Sequence, residues 1–178
     1  MNVKSLKALA AIALLSVCLP AAARAAEGEA KAGRLRVQVG RGNWLSDYTY
    51  VGNLVDALLL AGDQLSPGAN LAGKAYFITN GEPMPFWDFV RKVLARLHYP
   101  PIRWRLPHQP IYAFAALKEG FEALRGGEIS PEDGFTRFAI RYMCTHHYFC
   151  IDRARAELGY APAVSNDEGI RRTVASLG

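Results

Sequence analysis

The stretch KAYFITNGEPMPFWDF, residues 74–89, changes its periodicity midway, and this change constrains the fold more than any other feature of the chain. Its first six residues form a short, mostly apolar run, which predicts a buried strand. Asn80 and Gly81 are turn residues, and Pro83 and Pro85 prevent the strand from continuing. Because proline is well tolerated in the first turn of a helix, we predict a strand–turn–helix unit.

The helix of this unit is the most clearly amphipathic one in the sequence. Trp87 lies near its start, beside the turn. Its apolar residues recur at helical spacing, which predicts one face packed on a core: Phe86, Phe89, Val90, Val93, Leu94 and Leu97.

Upstream of this unit, the sequence predicts two extended pieces and a helix. Residues 34–39 (RLRVQV) alternate like a strand, residues 40–43 are turn residues, and residues 44–51 (WLSDYTYV) are rich in aromatic and β-branched side chains. Asn53 can cap a helix that begins with Leu54. One apolar face of that helix would consist of Leu54, Val55, Leu58 and Leu59.

Downstream, alternation over residues 102–106 predicts another strand, and residues 111–124 carry an apolar stripe at helical spacing. The stripe is Ile111, Phe114, Leu117, Phe121 and Leu124. Two interpretations stay open for this helix: it packs on the core, or it lies on a membrane surface.

Closer to the end of the chain, residues 137–149 (RFAIRYMCTHHYF) are predicted to contain a strand. Asp152 is a candidate cap for the next helix and Gly159 a candidate end. Ser165 and Glu168 match a capping box before a last helix. Strands and helices therefore alternate, which predicts an α/β or α+β class.

The N-terminus is a break in composition. A basic start at Lys4 and Lys7 precedes an apolar run over residues 8–19, and small residues surround Arg24. This pattern is typical of a secretory signal, so we predict a signal-like segment at 1–25, a linker at 26–33 and a domain at 34–178. A signal would send the protein to the secretory pathway or periplasm; a weak membrane anchor or a misplaced start are the alternatives.

The net charge of +5 does not indicate nucleic-acid binding. Three of the 21 basic residues lie in the signal-like segment and all 16 acidic residues lie beyond it, which leaves 18 basic against 16 acidic. No basic run with interleaved aromatic residues remains, so nucleic acid is excluded as a predicted partner.

The motif CTHHYFC is the sequence's one metal-like cluster, with Cys144, His146, His147 and Cys150. On a strand the two cysteines would lie about 20 Å apart and could not converge on one ion. We therefore predict no metal site, and the thiols and imidazoles are interpreted as ordinary side chains. The sequence also contains no Gly-x-Ser-x-Gly elbow and no phosphate-binding P-loop.

Three fragments in order resemble the 3β-hydroxysteroid dehydrogenase/isomerase family of extended short-chain dehydrogenases, most closely its sterol-4α-carboxylate 3-dehydrogenase (decarboxylating) branch. They are DYTYVGNLVDALLLAGDQL, GKAYFITNGEPMPFWDFVRKVLARL and THHYFCIDRARAELGYAPAVSNDEGIRRTV. The resemblance runs from about Gly40 to Leu177. It implies an α/β fold that is the C-terminal part of a Rossmann-type short-chain dehydrogenase, with the N-terminal nucleotide-binding half missing.

The resemblance implies that a whole family member binds NAD or NADP and oxidises the 3β-hydroxyl of a 4α-carboxysterol, after which the 3-keto acid loses carbon dioxide. The hydride step requires Tyr-x-x-x-Lys and the cofactor requires a glycine-rich turn. Neither occurs in the sequence. We therefore predict no catalytic or cofactor-binding residues, a chain that is inactive alone, and no NAD or NADP bound by this chain alone.

The resemblance also implies that this portion closes over the substrate. Tyr50 and Trp87 could face a flat sterol-like molecule, and Arg137 or His146 could meet its carboxylate. For each of the four, core packing or a solvated position is the alternative. Sterol members of the family are associated with the endoplasmic reticulum membrane, which conflicts with the signal-like segment.

Two other functions stay open on the same residues. One is a secreted, non-catalytic domain that binds a ligand or a partner chain; the other is a fragment of a sugar-nucleotide epimerase or reductase. The KAYFIT strand would have open edges without neighbouring strands, so self-association of the isolated chain is a further prediction.

Overall fold

The computed structural model describes residues 23, 26–28, 30–31, 35–65, 71, 73–126 and 136–176. Its strands are β1 (Val37–Val39), β2 (Leu45–Ser46), β3 (Met84–Pro85) and β4 (Trp104–Leu106). Its helices are α1 (Val51–Gln64), α2 (Phe86–Arg96), α3 (His108–Leu124), α4 (Arg137–Met143), α5 (Asp152–Leu158) and α6 (Asn166–Ala175). The signal-like segment lies outside the described residues except for Ala23, and its assignment stays a prediction.

A parallel pair of strands, β1 and β4, organises one end of the molecule. Val37 pairs with Trp104 and Val39 with Leu106. The backbone N–H of Gly40, just past β1, donates to the Leu106 carbonyl over 2.8 Å. Both strands were predicted from alternation, and their carboxyl ends lie side by side.

The core is built around α2, whose prediction is confirmed. The helix begins at Phe86, directly after Pro85. Its buried residues are Phe86, Trp87, Phe89, Val90, Val93 and Leu94. The Phe89 ring stacks on Tyr48 with centroids 4.1 Å apart, which joins the helix to the segment after β2.

The predicted buried strand at residues 74–79 is wrong. The segment is extended, but within the described part of the chain no strand pairs with it along its length. Tyr76 and Ile78 pack against a small cluster formed by α1 and α5, whereas Phe77 on the opposite face is 59% exposed. A strand needs a neighbour to satisfy its backbone groups, and the sequence of one strand does not specify that neighbour.

Helix α1 begins at Val51 rather than Leu54, and Asn53 is not its cap. Asn53 is fully buried inside the helix, and Ala57 lies buried one turn later. The residues of the predicted apolar face are 37–63% exposed: Leu54, Val55, Leu58 and Leu59. The packed face of α1 is therefore the face that carries Asn53 and Ala57.

The prediction that residues 137–149 contain a strand is wrong for residues 137–143, which form helix α4. The Thr136 hydroxyl accepts a bond from the Ala139 N–H and caps the helix. Ala139, Ile140 and Met143 share its buried face, and this spacing is helical. Extended pairing begins later, where His147 forms a parallel bridge with Ser46.

The predicted helix ends are partly confirmed. Gly159 ends α5 in the left-handed region, with φ of 69°. Ser165 caps α6 by accepting a bond from the Glu168 N–H, but the Glu168 carboxylate pairs with Arg171 and Arg172 instead of completing the box. Asp152 lies in the first turn of α5 and is not its cap.

Helix α3 contributes little apolar surface to the described core. Ile111 is buried, but the other four residues of its stripe, Phe114, Leu117, Phe121 and Leu124, are 52–88% exposed. No helix in the described ranges is both long and apolar enough to cross a membrane. Contact of residues 111–124 with a membrane surface stays a prediction.

Candidate functional site

A cavity of about 620 Å³ opens at the carboxyl ends of β1 and β4. It is lined by Gly40, Arg41, Asn43, Trp44, Arg105, Leu106, Pro107, His108 and Gln109. Ligands of open α/β sheets bind at the carboxyl ends of parallel strands, and this volume is within the range of small-molecule sites. Position and size therefore make this cavity the candidate functional site.

The loop after β1 is shaped by Gly40. Its φ is +74°, and a Cβ atom at this position would lie 2.6 Å from the Trp44 ring. A side chain would therefore be strained and would displace the indole. The Trp44 ring meets the His108 ring edge-on, with centroids 5.8 Å apart, so the two aromatic rings form one wall.

Buried polar contacts hold this loop from behind. The Gln38 amide donates to the Gly40 carbonyl over 3.2 Å, and its oxygen accepts a bond from Arg91. The Trp87 indole N–H donates to the Val39 carbonyl over 3.0 Å. Both side chains are completely buried, so the loop is anchored to α2 and the core.

The cavity is electropositive. Arg41 and Arg105 are exposed and, within the described part of the chain, neither forms an ion pair. None of the described lining residues is acidic. Helix α3 begins at His108, and the amino end of a helix favours negative charge. Together with Trp44 and Leu106, this arrangement suits an anion attached to an apolar group.

Trp87, predicted to face the substrate, is fully buried. It lies behind the cavity wall and contacts it through Val39. The structure therefore gives Trp87 a supporting position, and a direct contact with substrate stays a prediction.

His146 lies next to the same loop. Its Nδ1 accepts a bond from the Leu45 N–H over 3.1 Å, which requires an unprotonated Nδ1. The neighbouring Cys144 sulfur packs near Gly40, and burial raises the pKa of its thiol to about 11. A thiol with this pKa stays protonated near neutral pH and is a poor nucleophile.

Arg137 is engaged elsewhere. Its Nε lies 2.5 Å from Glu119 Oε2, and its backbone N–H donates to Oε1 over 2.6 Å. Glu119 is only 6% exposed, so the pair joins α3 to α4 and compensates a buried carboxylate. Arg137 does not line the cavity.

Tyr50 immediately precedes α1. Its backbone N–H donates to Asn80 Oδ1 over 2.9 Å, and the Arg172 guanidinium lies 5.9 Å from its ring centroid. The structure therefore does not bring the four predicted residues together: Trp87 and His146 adjoin the cavity loop, whereas Tyr50 and Arg137 do not line it.

Sequence reasoning missed Arg41, Trp44, Arg105 and His108. Arg41, Arg105 and His108 lie at or just after the end of a predicted strand, and Trp44 begins the extended piece that follows the first turn; these positions were the available signal. What the sequence did not show is that the two strands are parallel neighbours, because residues 37–39 and 104–106 are joined only by the fold.

The cavity does not fit the pyrophosphate of NAD or NADP. That group requires a glycine-rich turn whose backbone N–H groups lead into a helix. Here Pro107 precedes α3 and Pro110 lies in its first turn, and neither has an N–H to donate. As for metals, no group of three or more potential ligands occurs among the described residues.

Comparison with known proteins finds a matching family model and several related proteins. The model of the 3-beta hydroxysteroid dehydrogenase/isomerase family matches residues 19–108, which include every residue of the cavity lining except Gln109. A sterol-4-alpha-carboxylate 3-dehydrogenase, decarboxylating, from Mus musculus is 35% identical over 148 residues, which is 83% of this chain and 41% of the relative. A 2-alkyl-3-oxoalkanoate reductase from Stenotrophomonas maltophilia is 40% identical over 147 residues, which is 83% of this chain and 44% of the relative.

Among solved structures, the crystal structure of gox2253 is similar with a TM-score of 0.59 at 22% identity. The match covers 84% of this chain and 42% of that protein, and it supports the fold. The chain thus spans about two fifths of the length of the curated relatives it matches.

Proposed function

The chain belongs to the 3-beta hydroxysteroid dehydrogenase/isomerase family, and on that premise we propose that it is the substrate-binding side of an NAD(P)-dependent oxidoreductase. The cavity at the ends of β1 and β4 receives the substrate. The cofactor and the proton-transferring residues belong to elements outside this chain's sequence, since it contains neither Tyr-x-x-x-Lys nor a glycine-rich turn.

We derive the substrate class from what the compounds named in two relatives have in common. One relative is a 3-dehydrogenase of a sterol 4-carboxylate and the other is a reductase of a 2-alkyl-3-oxoalkanoate. In both compounds a carbon that bears a hydroxyl or keto oxygen is bonded to the carbon that bears the carboxylate. In both, this unit is attached to a large apolar skeleton. We infer a 3-hydroxy or 3-oxo carboxylate of this kind as the substrate, with a sterol acid as one member of the class.

The similarity to both relatives over 83% of the chain carries this proposal. The cavity supports it, because it combines positive charge with aromatic and aliphatic lining. The role of this chain is then to bind and orient the acid. Hydride transfer is not expected from the chain by itself.

The proposal is tested by calorimetric titration of the purified chain with 3-hydroxyhexadecanoate, followed by addition of NAD⁺ or NADP⁺. We expect binding of the acid, weaker binding of hexadecanoate, which lacks the 3-hydroxyl, and no absorbance increase at 340 nm. Formation of NADH or NADPH by the chain alone would contradict the proposal. Binding of a UDP-sugar in place of the acid would contradict it as well.

A further inference from the structure

We propose that Arg41 and Arg105 bind the carboxylate of the substrate while Trp44 contacts its apolar skeleton. The inference rests on the proposed function for the identity of the ligand. The position of the two guanidinium groups is a separate observation, because both residues line one cavity without an ion pair to another described residue.

The two arginines come from neighbouring strand ends. Arg41 directly follows Gly40, Arg105 directly precedes Leu106, and the bond from Gly40 N–H to Leu106 carbonyl joins these positions at 2.8 Å. Both arginines line the single cavity that opens beside this bond. A guanidinium presents a planar fork of donors that matches a carboxylate, and two of them around one opening favour an anion over a neutral group.

The other candidate cations are already engaged. Arg137 pairs with the buried Glu119, so a substrate carboxylate there would compete with a carboxylate of the protein. His146 accepts a hydrogen bond from the Leu45 N–H through Nδ1, so the lone pair on this nitrogen is directed at the protein backbone. The carboxylate is therefore assigned to Arg41 and Arg105, which carry full charges and, among the described residues, have no competing acid.

The apolar part of the substrate has a surface in the same cavity. Trp44 is half-buried, with one side against Gly40 and its edge against His108. Leu106 and Pro107 continue this surface along the cavity wall. An indole fixed in this way offers a flat apolar face at little cost in side-chain entropy, next to the charged opening.

The test measures the preference of the chain for 3-hydroxyhexadecanoate over its uncharged methyl ester by calorimetry at a fixed low salt concentration. For the native chain we expect at least about tenfold tighter binding of the acid. Arg41→Gln and Arg105→Gln should each reduce this preference severalfold, and the double variant should abolish it. Arg41→Lys should retain part of the preference, because it keeps the charge and loses the fork.

Arg103→Gln is the matched control. Arg103 lies two residues before Arg105 and lines a different cavity. Its substitution by glutamine removes the same charge as Arg105→Gln. It should leave the preference unchanged. All three positions, Arg41, Arg103 and Arg105, are exposed, so the thermal midpoint should also stay unchanged, which separates a loss of binding from a loss of folding.

The outcomes distinguish this inference from the proposed function. If the native chain binds acid and ester equally, or if Arg103→Gln acts like Arg41→Gln, the carboxylate assignment is overturned. If that happens while the chain still binds the 3-hydroxy acid more tightly than hexadecanoate, the proposed function stands. If it binds neither compound, the proposed function is overturned too.

Discussion

Asn80 joins three segments that are distant in sequence. Its Oδ1 accepts bonds from the Tyr50 N–H and from the Asn53 amide, and its Nδ2 donates to Asn166 Oδ1, all within 2.9 Å. Asn53 extends the network by bonding both the N–H and the carbonyl of Val164. The three asparagines are at most 4% exposed, so each amide replaces water with protein partners.

Replacing Asn80 by alanine is expected to lower the free energy of unfolding by about 2–4 kcal/mol. The substitution leaves the Tyr50 N–H and the Asn53 amide without their acceptor in a buried place. Urea unfolding followed by circular dichroism measures the change. Asn43→Ala, in the exposed loop, is the control and should change stability by less than about 0.5 kcal/mol; an equal loss in both variants would argue against the network.

At the scale of elements, Glu157 ties helix α5 to the extended segment at 74–80. Its carboxylate accepts a bond from the Tyr76 phenol at 2.5 Å and pairs with Lys74 at 2.9 Å and with Arg153 at 3.2 Å. These partners, led by Tyr76, lower the pKa of Glu157 from 4.5 to about 2. The contact links the start of this segment to α5, while Asn80 links its end to α1 and α6.

This lowered pKa predicts a specific dependence of stability on pH. The Glu157 carboxylate takes up a proton less readily in the folded chain than in the unfolded chain. Its contribution to the stability of the fold is therefore complete above about pH 4.5 and is lost as the pH falls towards 2. Glu157→Gln should therefore be less stable than the native chain at pH 7, and the difference should shrink between pH 4.5 and 2.

Thermal unfolding across this pH range measures the effect. Tyr76→Phe provides the matched comparison, because it removes the hydrogen bond that lowers the pKa of Glu157 most and keeps the carboxylate. An NMR titration of Glu157 in that variant should give a pKa closer to 4.5. A pKa that stays near 2 would assign the shift to Lys74 and Arg153 instead.

The elements also show how far the sequence determines this fold. Helix α2 was predictable, because its periodicity, the prolines before it and its burial all agree. Helix α4 was not, because a 7-residue segment carries too few apolar positions to separate helical from strand spacing. The apolar face of α1 was visible in the sequence but its exposure was not, since hydrophobicity alone does not reveal that the buried face carries Asn53, which bonds Val164.

The candidate site was likewise predictable only in part. Residues 40–43 after β1 were visible as a turn, Trp44 as the start of an extended piece, and Arg105 as part of a strand. Their convergence depends on the pairing of β1 with β4, which is a long-range contact that no local pattern encodes. Predicted site residues that rested on resemblance, Tyr50 and Arg137, were placed at other contacts by the fold.

At the scale of the whole molecule, two described regions leave apolar surface or backbone uncovered. The exposed face of α1 carries Leu54, Val55, Leu58 and Leu59 at 37–63% exposure, and the segment at 74–80 lacks a pairing strand in the described part of the chain. Such surfaces are typical of contacts with further protein. The chain also spans only about two fifths of its relatives.

We therefore expect the isolated chain to self-associate as its concentration rises. Sedimentation velocity over a range of concentrations measures this. Leu58→Lys should raise the dissociation constant about tenfold or more, because it places a charge on the exposed apolar face. Asp56→Asn changes the net charge by the same amount on the opposite side of α1 and should have little effect; a monomer at all concentrations would contradict the expectation.

The pairing of β1 with β4 has a consequence for how the chain folds. Val37 and Trp104 are partners although two further helices and two further strands lie between them in the sequence. Closing so long a loop costs entropy and slows folding. The cavity therefore cannot form until Gln109 has been synthesised and the two strands have met. A ligand that fits it would stabilise a strand contact that the chain has already made.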